Sequence, residues 1–269
     1  WSRAGERPGT RFRPLDDDRV AIDTYDNLYK EFNPIQFNAQ EWVEIAQAAG
    51  MKYLVFTSKH HDGFCNFDTN STDYKITGPD CPFGRDIVAE LAEACHAAGL
   101  RFGLYYSQPD WRHPYYRNEH HAKYIEYFHG HVAELLTNYG QVDVLWFDGL
   151  EQRFDGDEWT PEVGDVFPGA STWEAQKLFA KVRELQPDIL INNRCGMRAD
   201  FDTPEQKIGP YQTHRAWETC MTMGDQWAWN PDDNLKSVKA CLQTLIRTVG
   251  GDGNLLFNTG PMPDGRIEP

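Results

Sequence analysis

A tryptophan and an aspartate stand two residues apart near the middle of the chain, at Trp146 and Asp148, where a predicted strand over 142–147 ends. Side chains two residues apart on a strand point to the same face, so we expect the indole and the carboxylate in one pocket. A carboxylate can attack the anomeric carbon of a sugar while an aromatic ring stacks on the sugar. Asp148 could instead cap the next segment, and this simpler interpretation stays open.

Acid–base chemistry of this kind requires a second carboxylate on the other side of the scissile bond. Two glutamates are candidates. Glu205 lies in a long predicted loop after a strand at 189–193, and Glu218 lies on or near a further short strand. Their spacing from Asp148 does not choose between them. Glu205 could equally be a solvated loop residue, and Glu218 could be a buried glutamate with a structural partner.

Two adjacent histidines and one arginine supply further polar groups. On a regular strand His60 and His61 would point to opposite faces, which argues against a shared metal ion. Just beyond a strand end, both can turn into a pocket and hydrogen-bond to hydroxyl groups. Arg194 could clamp a ligand oxygen or hold a carboxylate through a bidentate pair. The alternatives are one core and one surface histidine, and a purely structural ion pair at the arginine.

Strand and helix patterns alternate along the chain from about residue 37, without a repeat or an interdomain linker. The predicted elements are a helix over 38–49, a strand over 52–58, a helix over 86–98, a strand over 101–106, a helix over 119–139, a strand over 142–147, a helix over 172–185, a strand over 189–193, a helix over 234–249 and a strand over 254–258. Such alternation predicts a parallel sheet covered by helices. Because polar residues gather just after the strands, where barrel enzymes carry their active sites, the pattern favours an enzyme.

Composition excludes several classes of protein. The 269 residues include 26 basic and 41 acidic side chains, a net charge of −15, so a nucleic-acid or anionic-membrane partner is disfavoured. Mean hydropathy is −0.65, and no apolar run reaches the ~20 residues that span a bilayer. The six cysteines include no C-x-x-C pair, which leaves a structural zinc site without support. No G-x-G-x-x-G follows the first strand, so dinucleotide binding is also disfavoured.

Several short motifs occur in an order and spacing typical of one enzyme family. They are TSKHHDGF at 57–64, GLYYS at 103–107, WFDG at 146–149, NR at 193–194, TPEQ at 203–206, WE at 217–218 and LLFNTGP at 255–261. From about Tyr25 to its end, the chain resembles the α-L-fucosidases of glycoside hydrolase family 29. The resemblance implies an α/β fold, a (β/α)8-like TIM-type barrel. It also implies a retaining exo-α-L-fucosidase that releases terminal α-L-fucose from glycans through a fucosyl-enzyme intermediate.

By the same resemblance, we expect Asp148 to be the nucleophile and Glu205 the acid/base, with Glu218 as the fallback for the second role. The residues that match the family's contacts with the sugar hydroxyls, the ring oxygen and the nucleophile are His60, His61, Tyr105, Trp146 and Arg194. The expected partner is a fucosylated oligosaccharide or glycoconjugate, with no cofactor, metal ion, nucleic acid or membrane, whereas the oligomeric state is open. A secreted, periplasmic or lysosomal location is suggested by the resemblance alone.

The sequence also departs from the family pattern. A first strand of the type F-G-x-F-x-H-W-G, the helix after the last strand and a C-terminal β-sandwich are not found. We therefore expect residues 1–269 to form a single catalytic barrel domain that is incomplete. Three alternatives stay open: another retaining barrel glycosidase such as a galactosidase, a non-catalytic or inactive sugar-binding fragment, and a metallohydrolase built on His60, His61 and nearby aspartates.

Overall fold

The secondary structure follows the predicted alternation of helices and strands. A computed structural model describes residues 20–116, 118–149, 152–155, 158–161, 173–197, 199–209 and 211–269. In chain order the elements are α1 (Ile22–Tyr25), a short 3-10 helix (Leu28–Lys30), α2 (Ala39–Ala48), β1 (Tyr53–Lys59), α3 (Ile87–Ala98), β2 (Arg101–Ser107), α4 (His121–Asn138), β3 (Val144–Asp148), β4 (Gln152–Asp155), β5 (Glu158–Pro161), α5 (Ala175–Leu185), β6 (Leu190–Ile191), β7 (Glu218–Thr222), α6 (Val238–Gly250) and β8 (Asn254–Asn258). The predicted helix start at Thr172 lies outside the described residues.

Local polar contacts set the helix ends. The Asn38 side chain accepts hydrogen bonds from two backbone N–H groups of the first turn, at 3.0 and 3.2 Å, so α2 begins where the sequence predicts. Asp86 caps α3 in the same way, and Gly99 ends that helix in the left-handed conformation, with φ of 66°. Ser237 caps α6, and this helix therefore begins later than the predicted start at residue 234.

Four strands pair in parallel in the order β1, β2, β3, β6. The register places Trp146 beside Tyr105 and Asp148 beside Ser107, so the carboxyl ends of β2 and β3 lie at the same edge. β6 pairs with β3 at only two positions and is shorter than the predicted strand at 189–193. β7 and β8 form a second parallel pair, and β4 and β5 form an antiparallel hairpin after β3 that the sequence did not predict.

Residues 201–205 connect the two parallel sheets, which corrects the predicted loop around Glu205. The start of this segment forms parallel bridges to Asn192, next to β6, and to Trp217, just before β7. Glu205 itself bridges Cys220 on β7. Because bridges run on both sides of the segment, it occupies a strand position between β6 and β7. Glu205 therefore stands at the carboxyl end of a strand rather than on a free loop.

The outer strands of this series, β8 and β1, are connected by side chains. Asn254 at the start of β8 donates a hydrogen bond to the hydroxyl of Tyr53 at the start of β1. Among the described residues, no backbone ladder joins these two strands. Within the part of the chain that the structure describes, the parallel strands thus follow one another around a barrel that is open at this seam.

The main core lies between the outer face of the four-stranded sheet and the helices. Phe102 and Leu145 are fully buried there and belong to the same cluster as Phe128 of α4. Trp146 and Tyr105 belong to a second, smaller cluster in the barrel interior. The alternation of neighbouring residues between these two clusters is the strand periodicity that the sequence displays. None of the helices in the described part is long and apolar enough to cross a membrane.

Candidate active site

One arginine nitrogen joins the two carboxylates that the sequence singled out. Nη1 of Arg194 lies 2.9 Å from Oδ1 of Asp148 and 2.7 Å from Oε2 of Glu205. These two carboxylate oxygens are therefore at most about 5.6 Å apart, close to the ~5–5.5 Å between the carboxyl groups of retaining glycosidases. Asp148 ends β3, Arg194 follows β6, and Glu205 ends the next strand position, so three consecutive strand ends meet here.

Arg194 is itself held in place by the segment that carries Glu205. Its Nε donates to the hydroxyl of Thr203 at 2.8 Å, and its Nη2 donates to the Thr203 carbonyl at 2.9 Å. The Thr203 hydroxyl in turn donates to Oδ1 of Asn193 at 2.8 Å. Thr203 is a site residue that sequence reasoning missed. The available signal was its position two residues before Glu205, which puts both side chains on one strand face.

Asp148 is surrounded by groups from three different strand ends. Its Oδ2 accepts a hydrogen bond from the Tyr105 hydroxyl at 2.8 Å and lies 3.9 Å from Nε2 of His61. Burial raises the pKa of Asp148, but the Arg194 guanidinium, His61 and the Tyr105 hydrogen bond outweigh it and hold that pKa below its ordinary value of 3.8. Asp148 is therefore an anion at neutral pH, which is the form a nucleophile needs.

The two adjacent histidines both turn towards Asp148, because β1 ends just before them. Their ring centroids are 4.1 Å apart, the His60 ring stacks on Tyr105 at 5.7 Å, and the His61 ring packs against Trp111 at 5.1 Å. Burial lowers the pKa of both imidazoles, that of His61 to about 4. Both rings are therefore neutral at pH 7 and suited to hydrogen bonds with hydroxyl groups.

His60, His61 and Asp148 also present one ligand atom each within 4.8 Å of one another, a spacing that can hold a metal ion. The neighbouring donors oppose that use. The Arg194 cation contacts one oxygen of Asp148, and the Tyr105 hydroxyl donates to the other. A divalent cation would have to compete with both, so the arrangement suits an uncharged polyol better than the metallohydrolase alternative.

Trp146 lies between the carboxylates and the deeper barrel interior. The Arg194 guanidinium carbon is 4.7 Å from the centroid of its ring, and Tyr105 stacks on it at 5.7 Å with an interplanar angle of 17°. The indole Nε1 donates a hydrogen bond of 2.9 Å to Oε1 of Glu218. Trp146 therefore contacts the site through its ring and the interior through its N–H.

Glu218, the other candidate acid/base, lies at the amino end of the barrel interior rather than beside Asp148. It begins β7, is 5% exposed and accepts hydrogen bonds from Trp146, Tyr53 and Asn254. This is the buried, paired glutamate that the sequence left open as an alternative. The structure brings Glu205, and not Glu218, next to Asp148.

The loop after β2 is fixed by two residues to which the sequence assigned no role. Lys59 is fully buried, and its Nζ donates to the carbonyls of Ser107 and Pro109 at 3.0 Å each. Gly149 has φ of 107°, and a Cβ there would lie 2.2 Å from Cδ of Pro109. Only glycine fits at this position, and the close approach brings the ends of β2 and β3 together beside Asp148. Both residues belong to the motifs quoted above, but spacing alone does not reveal which loop they touch.

Comparison with known proteins agrees with this geometry. A family model described as alpha-L-fucosidase matches residues 20–269. This chain belongs to the alpha-L-fucosidase family. A curated member of the family, a putative alpha-L-fucosidase from Caenorhabditis elegans, is 30% identical over 264 residues, which cover 91% of this chain and 51% of that protein. The chain spans between 49% and 60% of the length of the curated family members it matches.

Solved structures of family members confirm the fold. Alpha-L-fucosidase isoenzyme 1 from Paenibacillus thiaminolyticus superposes with a TM-score of 0.79 at 37% identity, over 93% of this chain and 64% of that one. A trapped covalent intermediate of an alpha-L-fucosidase from Bacteroides thetaiotaomicron, in complex with 2-fluoro-fucosyl fluoride, has a TM-score of 0.79 at 26% identity, over 92% of this chain and 60% of that one. The predicted α/β fold, an incomplete (β/α)8-like barrel, is therefore confirmed.

Proposed function

We propose that this family member is the catalytic barrel of a retaining exo-α-L-fucosidase, which hydrolyses terminal α-L-fucose from glycans. The observation that carries the proposal is the shared contact of Asp148 and Glu205 with one nitrogen of Arg194. Inverting glycosidases keep their carboxyl groups about 6.5–9.5 Å apart to admit a water molecule. Here Oδ1 of Asp148 and Oε2 of Glu205 are at most about 5.6 Å apart. The covalent intermediate and the fucosyl compound named for the Bacteroides relative support the same mechanism and substrate class.

In the first step, Asp148 is the nucleophile and protonated Glu205 is the general acid. An oxygen of Asp148 forms a bond to the anomeric carbon while the bond from that carbon to the leaving oxygen breaks. The electron pair of the broken bond stays on the leaving oxygen, which takes the proton from Glu205. The products are the released aglycone and a fucosyl ester of Asp148.

In the second step, Glu205 is a carboxylate and acts as general base. It takes a proton from a water molecule, whose oxygen attacks the anomeric carbon while the ester bond to Asp148 breaks. Asp148 regains its negative charge, and Glu205 regains its proton. Two inversions at the same carbon release fucose with its original configuration.

Nη1 of Arg194 donates a hydrogen bond of 2.7 Å to Oε2 of Glu205, a contact that suits the carboxylate required in the second step. For the first step, the proton-bearing side chain turns away from Arg194 towards the leaving oxygen. The Glu205 side chain is 44% exposed and has room for this rotation, whereas the Asp148 side chain is 22% exposed and held from several sides. The exposure difference thus supports a mobile proton donor beside a fixed nucleophile.

Sugar binding is assigned to the remaining polar and aromatic groups around Asp148. The neutral imidazoles of His60 and His61 are suited to hydroxyl groups, and Arg194 to the oxygens nearest the nucleophile. The Tyr105 ring lies between the rings of His60 and Trp146, and Trp146 is 3% exposed, so these two aromatic residues shape the wall of the sugar pocket. Each step of this scheme is carried by side chains of the chain itself.

A stereochemical measurement tests the proposal directly. The protein is mixed with an aryl α-L-fucoside, and the released sugar is followed by proton NMR before its anomers equilibrate. We expect α-L-fucose to appear first, whereas initial β-L-fucose would refute retention. Aryl galactosides run in parallel should be poorer substrates, and a reversal would favour a different retaining glycosidase. Calorimetric binding of fucose without turnover would favour the inactive sugar-binding fragment.

A further inference from the structure

A buried carboxylate lies behind Trp146, on the side away from the two reacting carboxylates. Glu218 receives a hydrogen bond of 2.9 Å on Oε1 from the indole N–H of Trp146. Its Oε2 receives one of 2.8 Å from Nδ2 of Asn254 and another from the hydroxyl of Tyr53. The three donors are neutral and come from three separate strands, so Glu218 connects β7 to β1, β3 and β8.

The bond from Trp146 to Glu218 fixes the orientation of the indole ring. An indole has a single polar atom, the Nε1–H donor, so its partner decides how the ring is turned about the Cβ–Cγ bond. The faces of that ring carry contacts of the candidate site: Tyr105 is stacked at 5.7 Å, and the Arg194 guanidinium lies 4.7 Å from the centroid. A rotation of the ring would therefore remove one of the contacts that hold the arginine beside Asp148.

The charge of Glu218 acts through the same path. A carboxylate that accepts a hydrogen bond from the indole N–H polarises the ring and increases the negative potential of its face. A more negative face attracts the Arg194 guanidinium more strongly. The position and the charge of Glu218 thus both help to hold the Arg194 guanidinium against the Trp146 ring.

We infer that Glu218 is a positioning residue that holds Trp146, and through it Arg194, in the geometry that serves Asp148 and Glu205. This inference rests on the proposed function. It distinguishes Glu218 from a proton donor on structural grounds: it stands two residues below Cys220, about 7 Å along β7, and Cys220 is the residue of that strand that reaches Arg194. Both oxygens of Glu218 are already occupied by donors.

A double-mutant cycle between Glu218 and Trp146 tests the inference. Glu218→Met removes the acceptor while roughly preserving side-chain length, and Trp146→Phe removes the N–H. We expect Glu218→Met to lower kcat about 30-fold, since loss of positioning remote from the reacting atoms can cost up to about 100-fold. In the Trp146→Phe background the same change should have almost no further effect, because the hydrogen bond that it breaks is already absent. If the two losses multiply independently, the inference is wrong.

Conservative variants keep the test interpretable if Glu218→Met does not fold. Glu218→Gln retains an oxygen that accepts the indole hydrogen bond and should keep kcat within about fivefold of the wild type, while Glu218→Asp withdraws the carboxylate and should lose more. Tyr53→Phe is the matched control, because it removes a donor from the far side of Glu218 and leaves the Trp146 bond intact. Its kcat should stay near the wild-type value, and a loss as large as that of Glu218→Asp would contradict the inference.

Leaving-group dependence and the pH profile separate positioning from proton donation. A positioning residue affects activated and poor leaving groups to a similar degree, and its replacement preserves the alkaline limb of the kcat/KM profile. If Glu218→Gln loses activity mainly on poor leaving groups and abolishes the alkaline limb, Glu218 is an acid/base and the inference fails. Absence of turnover by the wild type would overturn the proposed function and this inference together, whereas normal turnover with an additive cycle would overturn the inference alone.

Discussion

The two ends of the barrel interior each hold an acidic side chain, in opposite electrostatic surroundings. At the carboxyl end, Asp148 contacts the Arg194 guanidinium, and its pKa lies below the ordinary value. At the amino end, Glu218 is bonded by three neutral donors, and burial raises its pKa. The surroundings thus favour the ionised form of Asp148, as its proposed role of nucleophile requires, and oppose the ionised form of Glu218.

Solvent access separates the two ends as well. The Glu205 side chain beside Asp148 is 44% exposed, whereas Glu218 is 5% exposed. A group that delivers a proton to a glycosidic oxygen must reach the substrate, which the exposure of Glu205 allows. At the amino end, Glu218 instead connects three neighbouring strands, one of them through Trp146.

Among the variants that test the contrast between the two ends, Asp148→Ala should have the largest effect on kcat. Removal of the proposed nucleophile should lower kcat at least about 1,000-fold, as loss of the nucleophile does in other enzymes with covalent intermediates. Added azide should restore part of the rate by entering the vacated space, and NMR should identify the product as the inverted β-fucosyl azide.

The matched control for this variant is Asp143→Ala, five residues earlier and just before the other end of β3. The Asp143 side chain accepts a hydrogen bond from the backbone N–H of Phe102 and does not contact Arg194. Its replacement should leave kcat near the wild-type value. Comparable losses for both aspartates, or full activity of Asp148→Ala, would remove the distinction between the two ends.

The next largest effect is expected for Glu205→Ala, and it should depend on the leaving group. General acid catalysis contributes about 100- to 10,000-fold, so hydrolysis of fucosides with poor leaving groups should fall by that order. Activated aryl fucosides need little protonation and should lose much less at the first step. If Glu218→Gln shows this dependence on the leaving group and Glu205→Ala does not, Glu218 rather than Glu205 is the acid/base.

A smaller effect is expected for Arg194→Gln, which removes the cation that distinguishes the carboxyl end. Hydrogen bonds to charged groups contribute about 1.5–3 kcal/mol, so kcat/KM should fall about 10- to 100-fold. Because Arg194 lowers the pKa of Asp148, its loss should move the acidic limb of the kcat/KM profile to higher pH. An acidic limb that stays in place would show that the guanidinium does not control the ionisation of Asp148.

The smallest effect concerns stability rather than rate. The pKa of His61 is about 4 in the folded protein and 6.5 ordinarily, so below pH 6.5 the unfolded chain binds a proton that the folded protein does not. The contribution of neutral His61 is therefore fully present above pH 6.5 and decreases as the pH falls towards 4. This residue alone should lower the free energy of unfolding by about 2 kcal/mol between pH 7 and pH 5. Urea unfolding of His61→Asn should show a correspondingly weaker pH dependence, and equal dependences would refute it.

The sequence predicted the alternation of elements and the edge of the sheet at which the polar groups meet. Apolar strands and capped helices leave a strong periodic signal, as at Asn38 and Asp86. The carboxyl ends of parallel strands share one edge by construction, so the strand pattern alone places Asp148 and the two histidines in the same region.

The choice between Glu205 and Glu218 could not be made from spacing. Residues 201–205 contain no long apolar run, and they pair with their neighbours only through single bridges. Nothing in the sequence pattern therefore marks this segment as a strand. The partners of Glu218, among them Tyr53 and Asn254, are distant in sequence and meet it only when the barrel forms. His60 and His61 likewise converge only because β1 ends at Lys59, directly before them.

The single Arg194 nitrogen between two acidic groups has a consequence for the charge balance of the catalytic cycle. In the proposed cycle, Asp148 carries a negative charge and Glu205 carries the proton before attack. After attack, Asp148 is an uncharged ester and Glu205 carries the negative charge. At each stage one anion faces one cation, and the same guanidinium serves first one partner and then the other. In the proposed mechanism the site therefore completes both chemical steps at constant net charge, without importing a counter-ion.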